Sequence, residues 1–241
     1  MPHAHNNPQK NTYHLSFDYT MHGSILSKVT SATYLGIEIN SKLTWDTHID
    51  TITAKANRSL GLLKRNLKKA PHAIKSLAYQ SITRPSLEYG SVVWDPHQQY
   101  LISQVEAVQR RAARFVFNNY RYNPIDGYSS VTRMLEQLNW KTLERRRLEA
   151  RLTFFHKAVY GLIALPINQY LSPYHNPRPT RHSHNLQYRI PFCRTDAYLY
   201  SFYPNTVRSW NSLPSQLVLC DSPTGFRAGL QSQQLWPATN P

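Results

Sequence analysis

The sequence predicts a mainly α fold in which a short N-terminal β-hairpin is followed by a helical bundle and an irregular, proline-rich C-terminal region. Three observations predict it. Apolar residues recur at spacings of three and four over Ile49, Ile52, Ala56, Leu60, Leu63 and Leu67, and again over Leu101, Val105, Val108, Ala112, Phe115 and Val116, the mark of helices with one buried stripe. Before them, residues 31–40 alternate as a half-buried strand does, with Leu35, Ile37 and Ile39 set against Gly36 and Glu38. After Leu165, Pro166, Pro173, Pro177 and Pro179 fall in a run rich in Tyr, His, Asn and Arg, which reads as a linker or extended arm.

Taken in order, residues 13–19 alternate like a strand and Met21-His22-Gly23-Ser24 supplies a turn. Residues 1–43 therefore form a β segment. The helical domain spans 44–165. Thr44 or Asp46 is placed to cap its first helix, whose solvent side carries Lys55, Arg58, Lys64, Arg65, Lys68 and Lys69. Pro71 opens the next helix, and Ile74, Leu77, Ala78, Ser81 and Ile82 continue an apolar pattern until Pro85 interrupts it. Residues 87–94 are a further apolar stretch, ended by Asp95-Pro96. The helix after it sets Gln109, Arg110, Arg111 and Arg114 on its polar side and closes at Asn118-Asn119. A short helix over 131–138 and a longer one over 143–160 follow. In the longer helix Leu148, Leu152, Phe155 and Val159 are expected inside, with Arg145, Arg146, Arg147, Arg151 and Lys157 outside. Residues 166–241 make the linker and a small C-terminal segment that recovers structure at 207–214 and ends in polar, frayed residues.

Charge narrows the function. Lys and Arg number 28 against 13 Asp and Glu, a formal net charge of +15 over 241 residues. An excess of that size attracts polyanions, nucleic acid first. No apolar run approaches the roughly 18 to 20 residues that span a bilayer, and the polar opening MPHAHNNPQK lacks a signal-peptide core, so an intracellular protein without membrane attachment is expected. Cys193 and Cys220 alone exclude a disulfide framework or a four-cysteine zinc site. His182-Ser183-His184 is the tightest histidine group, with no carboxylate beside it, and reads more readily as a surface loop than as a metal site.

Catalytic chemistry is hard to assemble from this chain. Two-metal phosphoryl transfer needs clustered carboxylates. None of Asp18, Asp46, Asp50, Asp95, Asp126, Asp196 and Asp221 adjoins another acid, and Asp46 and Asp50, in the first turn of the basic helix, suit the helix dipole better than a metal. Neither glycine-rich phosphate loop is present, nor is a G-x-S-x-G elbow. No catalytic residue is assigned.

Several ordered motifs carry a family resemblance. Ser31-Ala32-Thr33-Tyr34-Leu35-Gly36-Ile37, then Leu43-Thr44-Trp45-Asp46-Thr47-His48-Ile49, resemble the segment just after the palm in reverse transcriptases of LINE-type (non-LTR, jockey-like) retrotransposons. The likeness continues at Arg84-Pro85-Ser86-Leu87-Glu88-Tyr89-Gly90-Ser91-Val92-Val93-Trp94, at Val105-Glu106-Ala107-Val108-Gln109-Arg110-Arg111-Ala112-Ala113-Arg114, at Leu138-Asn139-Trp140 with Arg145-Arg146-Arg147, and at Arg208-Ser209-Trp210-Asn211-Ser212-Leu213-Pro214. The resemblance implies a thumb that packs on the palm and grips an RNA and DNA template–primer duplex, with residues 1–43 as the end of the palm. It implies that Asn7-Pro8-Gln9-Lys10 corresponds to the element whose lysine assists the leaving pyrophosphate, and that Tyr34-Leu35-Gly36 is the primer-grip turn. The family's paired aspartates have no counterpart here, since Phe17-Asp18-Tyr19 lacks the second acid. The Mg2+ of such a polymerase would accordingly be held by the remaining palm, with no cofactor in this chain. The nucleic-acid-binding residues expected are Lys10, Tyr34, Gly36, Lys55, Arg58, Lys64, Arg65, Lys68, Arg110, Arg111, Arg114 and Arg146, with Tyr120, Tyr122 and Tyr128 either stacking on bases or covering the core. Two rival readings are a decayed coding remnant without a selected role and a histidine-dependent metal enzyme.

Overall fold

In a computed structural model, the described residues are 19–120, 130–174 and 184–232. The fold is mainly α with two small antiparallel strand pairs at its N-terminal end. Strands β1 (Thr20–Met21) and β2 (Ser24–Ile25) pair first, then β3 (Ser31–Tyr34) and β4 (Ile37–Asn40), in register from Ser31 opposite Asn40 to Tyr34 opposite Ile37. The second turn sets Leu35 at φ 48° and Gly36 at φ 79°, the doubly left-handed geometry that matches the twist of a two-residue hairpin. Of the strand expected over residues 13–19, all but Tyr19 lie outside the described residues.

Asn40 organises the passage into the bundle. Its Oδ1 accepts from the Lys42 and Thr44 amides at 3.1 and 3.0 Å, and its Nδ2 donates to Thr44 Oγ1 at 2.8 Å. Helix α1 (Asp46–Asn66) then starts after Trp45 with no side-chain cap. The expectation that Thr44 or Asp46 caps it is thereby corrected: Asn40 holds the Thr44 hydroxyl, and Asp46 is already inside the helix.

Helix α2 (His72–Ala78) runs into a π turn (Tyr79–Thr83) and a 3₁₀ turn (Arg84–Leu87). Here the sequence pattern misleads. Ile74, Leu77 and Ile82 face solvent, while Lys75, Tyr79 and Thr83 are buried. The reason is the partners: the Tyr79 ring stacks on Trp140 at 4.6 Å and its hydroxyl donates to Gln109 at 3.3 Å. Thr83 meets Ser59 at 3.0 Å, and the Lys75 ammonium lies 5.3 Å above the Phe115 ring.

Helices α3 (Gln99–Phe117), α4 (Ser130–Gln137) and α5 (Leu143–Val159) complete the bundle. Asn118 and Asn139 take left-handed conformations at the ends of α3 and α4, as helix-terminating asparagines do. Ile49, Ile52 and Ala56 of α1 pack with Leu101, Val105 and Val108 of α3, under Ile37 and Trp94. Farther along the same two helices, Leu60 and Leu63 meet Ala112, Phe115 and Val116. Gly90, at φ 66°, lets the turn after the 3₁₀ segment lie against β4; a Cβ there would stand 2.7 Å from Ile37 Cδ1.

The C-terminal region contributes core where a linker or arm was expected. Ile167 of α6 (Ile167–Tyr170), Leu171 and Tyr188 join Leu152 and Phe155 of α5 in a cluster with Val207 and Trp210 of α8 (Phe202–Asn211), Val218 of α9 (Ser215–Val218), and Phe226 and Leu230 of α10 (Pro223–Ser232). Helix α7 (Asp196–Leu199) lies between α6 and α8. Proline punctuates this segment without preventing burial. The Trp210-Asn211 pair fastens it: Trp210 Nε1 donates to the Leu186 carbonyl at 2.7 Å, and the Asn211 side chain exchanges two hydrogen bonds with the Tyr188 backbone, 3.1 and 2.7 Å long.

Among the described residues, His48, His156 and His184 are buried. His48 Nδ1 accepts from the Glu38 amide, His156 Nε2 meets the Cys220 carbonyl at 2.7 Å and His184 Nε2 meets the Trp210 carbonyl at 3.2 Å. Burial holds all three below the ordinary histidine range. As pH falls through about 6.5 the unfolded chain therefore takes up protons before the folded one, so their contribution is present above that pH and fades below it. Glu106, whose carboxyl burial pushes up, acts in the opposite sense in the carboxylate range, so the window to probe lies above it. The urea midpoint is expected to be lower at about pH 6 than at about pH 7.5; equal midpoints would count against neutral buried histidines. Leu101→Ala, in the fully packed α1–α3 seam, is expected to lower unfolding free energy by about 2–5 kcal/mol, read by the same denaturation.

Candidate nucleic-acid interface

Helices α1 and α3 lie parallel and in register, and three polar contacts along their seam fall at one offset in sequence. Tyr100 donates to Asp46, Gln104 Nε2 donates to Asp50 Oδ1 at 2.7 Å, and Arg111 Nη1 donates to Asn57 Oδ1 at 2.9 Å. The seam is acidic at the N-terminal end and basic at the C-terminal end, the polarity each helix dipole prefers. Asp46 and Asp50, expected to suit the helix dipole, also accept two of these cross-helix hydrogen bonds, and the Tyr100 hydroxyl holds the Asp46 carboxyl below its usual range.

At the basic end Lys64, Arg111 and Arg114 converge. The Lys64 ammonium stands 5.5 Å above the Tyr120 ring. Burial lowers its proton affinity, and repulsion from Arg111 and Arg114 lowers it further. Cations close enough to repel one another, with no salt-bridging carboxylate among the described residues, form a surface that an anion would relieve. Lys55, Arg58 and Arg65 are exposed on α1, and Lys68 is exposed just beyond its end. Tyr120 is exposed beside it; Tyr122 and Tyr128 lie outside the described residues.

The other expected contacts distribute differently. Arg110 folds back on its own helix, where Nη2 donates to the Ser103 carbonyl at 3.2 Å. Tyr34 and Gly36 sit at the exposed tip of the β3–β4 hairpin, away from the seam in sequence but tied to the bundle by Tyr89, whose hydroxyl donates to the Leu35 carbonyl at 3.1 Å. Lys10 lies outside the described residues. Asn57, which orients Arg111, was not anticipated; only the register of the two helices reveals it.

The arginines of α5 overturn the expected outward face. Arg146 forms a two-point pair with Glu88, its Nη2 donating at 3.0 Å, and that carboxylate holds the guanidinium above its ordinary range despite burial. Arg147 and Arg151, 1% and 5% exposed, both bind Asp95, Arg147 Nε at 2.9 Å, and Arg147 lies 5.8 Å from the Trp94 ring. Arg145 reaches Glu149 at 3.1 Å, where Lys141 also binds at 2.7 Å. Helix periodicity marks these positions polar. It does not foresee that Glu88 and Asp95, more than fifty residues away, come inward to meet them.

Among the described residues no group of three or more His, Cys, Asp or Glu side chains is placed to hold a metal ion, and no helix is long and apolar enough to cross a membrane. His182 and Ser183 lie outside the described residues, and His184 is buried beneath Trp210. Set against known proteins, the chain matches no family model, no curated protein and no solved structure.

The two arginine groups should separate in experiment. Arg146→Ala is expected to lower unfolding free energy by about 1–3 kcal/mol by leaving Glu88 with only the longer contact to Arg84, whereas Arg114→Ala, in the repelling cluster, should leave the denaturation midpoint within error or raise it slightly. Similar losses in both variants would show that the distinction between buried and surface cations is wrong.

Proposed function

We propose that this chain is a non-catalytic nucleic-acid-binding unit that grips a template–primer duplex, acting as the thumb and following region of an RNA-directed DNA polymerase of the retrotransposon kind its motifs resemble. The observation that carries this reading is the convergence of Lys64, Arg111 and Arg114 at one end of the α1–α3 seam without a neutralising carboxylate among the described residues. Lys and Arg side chains so placed neutralise phosphates and release counterions, and they position a duplex without reading its sequence. Exposed Lys55, Arg58 and Arg65 widen the footprint along α1, and Lys68 just past its end. The exposed Tyr34 and Leu35 of the hairpin tip offer a second contact, to the primer strand or to a palm. Its partners on this reading are RNA and DNA and the palm and fingers that supply the Mg2+-binding aspartates, within an intracellular complex.

A gel-shift titration of an RNA–DNA hybrid at several salt concentrations tests the proposal. With about six phosphates contacted, log affinity should fall against log salt with a slope near −5, and Arg111→Ala with Arg114→Ala should make the slope shallower by about 2. Absence of binding at low salt would remove the proposal, and an unchanged slope in the double variant would remove this surface from it.

A further inference from the structure

A cleft of about 290 Å³ opens between α5, the turn that follows the 3₁₀ segment, and α10, with Glu88, Ser91, Arg146, Phe154, Lys157 and Arg227 among its walls. Arg146, Phe154 and Lys157 are spaced by eight and three residues along one edge of α5, so the cleft follows the helix for ~16 Å. Its charges do not balance. Glu88 is held by Arg84 and, at two points, by Arg146. Glu149, also in the wall, is held by Lys141 and Arg145. Both carboxylates of the lining are thus answered from within the protein, each by two cations. Lys157 and Arg227 have no carboxylate within salt-bridge distance among the described residues.

The cleft therefore has a net positive wall, hydroxyls at Ser91 and Thr153, and an apolar side at Phe154, which meets Phe202 edge-on at 5.7 Å. Its volume lies just under the range of ligand pockets, which run from roughly 300 Å³ upward. It is too small for a duplex and suits one compact anion with an attached ring. We infer that this cleft binds a phosphate-bearing small ligand of nucleoside-diphosphate size, its phosphates held by Lys157 and Arg227 and its ring against Phe154. Arg146 contributes from a fixed position, since Glu88 locks its guanidinium and little side-chain entropy is lost on binding. The site is separate from the Lys64–Arg111–Arg114 cluster, and failure of duplex binding there leaves it standing.

Isothermal titration of the full chain with adenosine diphosphate, with inorganic phosphate and with a short single-stranded oligonucleotide tests the inference. Adenosine diphosphate should bind with one-to-one stoichiometry and more tightly than inorganic phosphate. Lys157→Ala with Arg227→Ala should weaken it by about tenfold or more, the loss of charge-assisted hydrogen bonds, while Arg111→Ala leaves it unchanged. Lys157→Arg with Arg227→Lys keeps the charges and should restore most of the affinity, which separates binding from misfolding, and circular dichroism checks the fold of each variant. No saturable binding of adenosine diphosphate at millimolar concentration, or equal affinity in the alanine double variant, overturns the inference. So does oligonucleotide binding that the double variant abolishes while adenosine diphosphate fails to bind, since the phosphate would then belong to a strand.

Discussion

The parallel pairing of α1 and α3 is the constraint on which the rest depends. Two helices running the same way cannot be joined by a tight turn, so the chain must travel back along the bundle between them. The α2, π and 3₁₀ segments and the Glu88–Asp95 turn do this. The return path brings Tyr79, Leu87 and Trp94 to full burial and sets Glu88 and Asp95 where α5 crosses. The hairpin is seated by the same arrangement, because Ile37 enters the cluster formed by Ile49, Ile52, Leu101 and Val105. Parallel alignment also places both negative dipole ends at one pole, where Lys64, Arg65 and Arg114 stand.

Buried charge then fixes how α5 docks. Asp95 takes two guanidinium groups, Glu88 takes another two, and Glu106 accepts from the Glu144 amide at 2.9 Å at the start of α5. Such pairs contribute little net stability once desolvation is counted, but removing one partner is costly. Their effect is selectivity: only one rotation and one depth of α5 satisfies three carboxylates at once. Arg147 retains two terminal nitrogens without a hydrogen-bond partner among the described residues, and the Trp94 face against it supplies the remaining contact.

Much of the architecture is legible in the residues. The stripes at Ile49–Leu63 and Leu101–Val116 announce α1 and α3 because each helix buries one face against the other, and period is then a faithful guide. Asn118 ends α3 for a local reason that local sequence carries. The inverted α2 face is illegible because burial there is chosen by Trp140, Gln109 and Phe115, all distant in sequence, and not by hydrophobicity at Ile74 or Leu77. The outward placement of Arg146, Arg147 and Arg151 fails for the same cause. A basic side chain looks outward to any periodicity argument unless its carboxylate is near in sequence. The core role of Ile167, Leu171, Tyr188 and the residues from Val207 to Leu230 was hidden by proline content, which reports backbone stiffness and says nothing of where Trp210 and Phe226 are anchored. Of the candidate interface, Lys64, Arg111 and Arg114 are individually readable as cations, but their convergence is a property of helix register.

The hairpin tip carries a consequence of its own. Leu35 holds a left-handed backbone that an L side chain with a branched body resists by roughly 1–2 kcal/mol, and the hydrogen bond from Tyr89 is the contact that pins it. The tip thus behaves as a rigid peg whose standoff from the bundle is set by a tyrosine fifty-four positions downstream. Anything that touches Tyr34 and Leu35 is gauged against the helices themselves, and a shift of the Glu88–Asp95 turn would be felt at the peg's end as a change of reach.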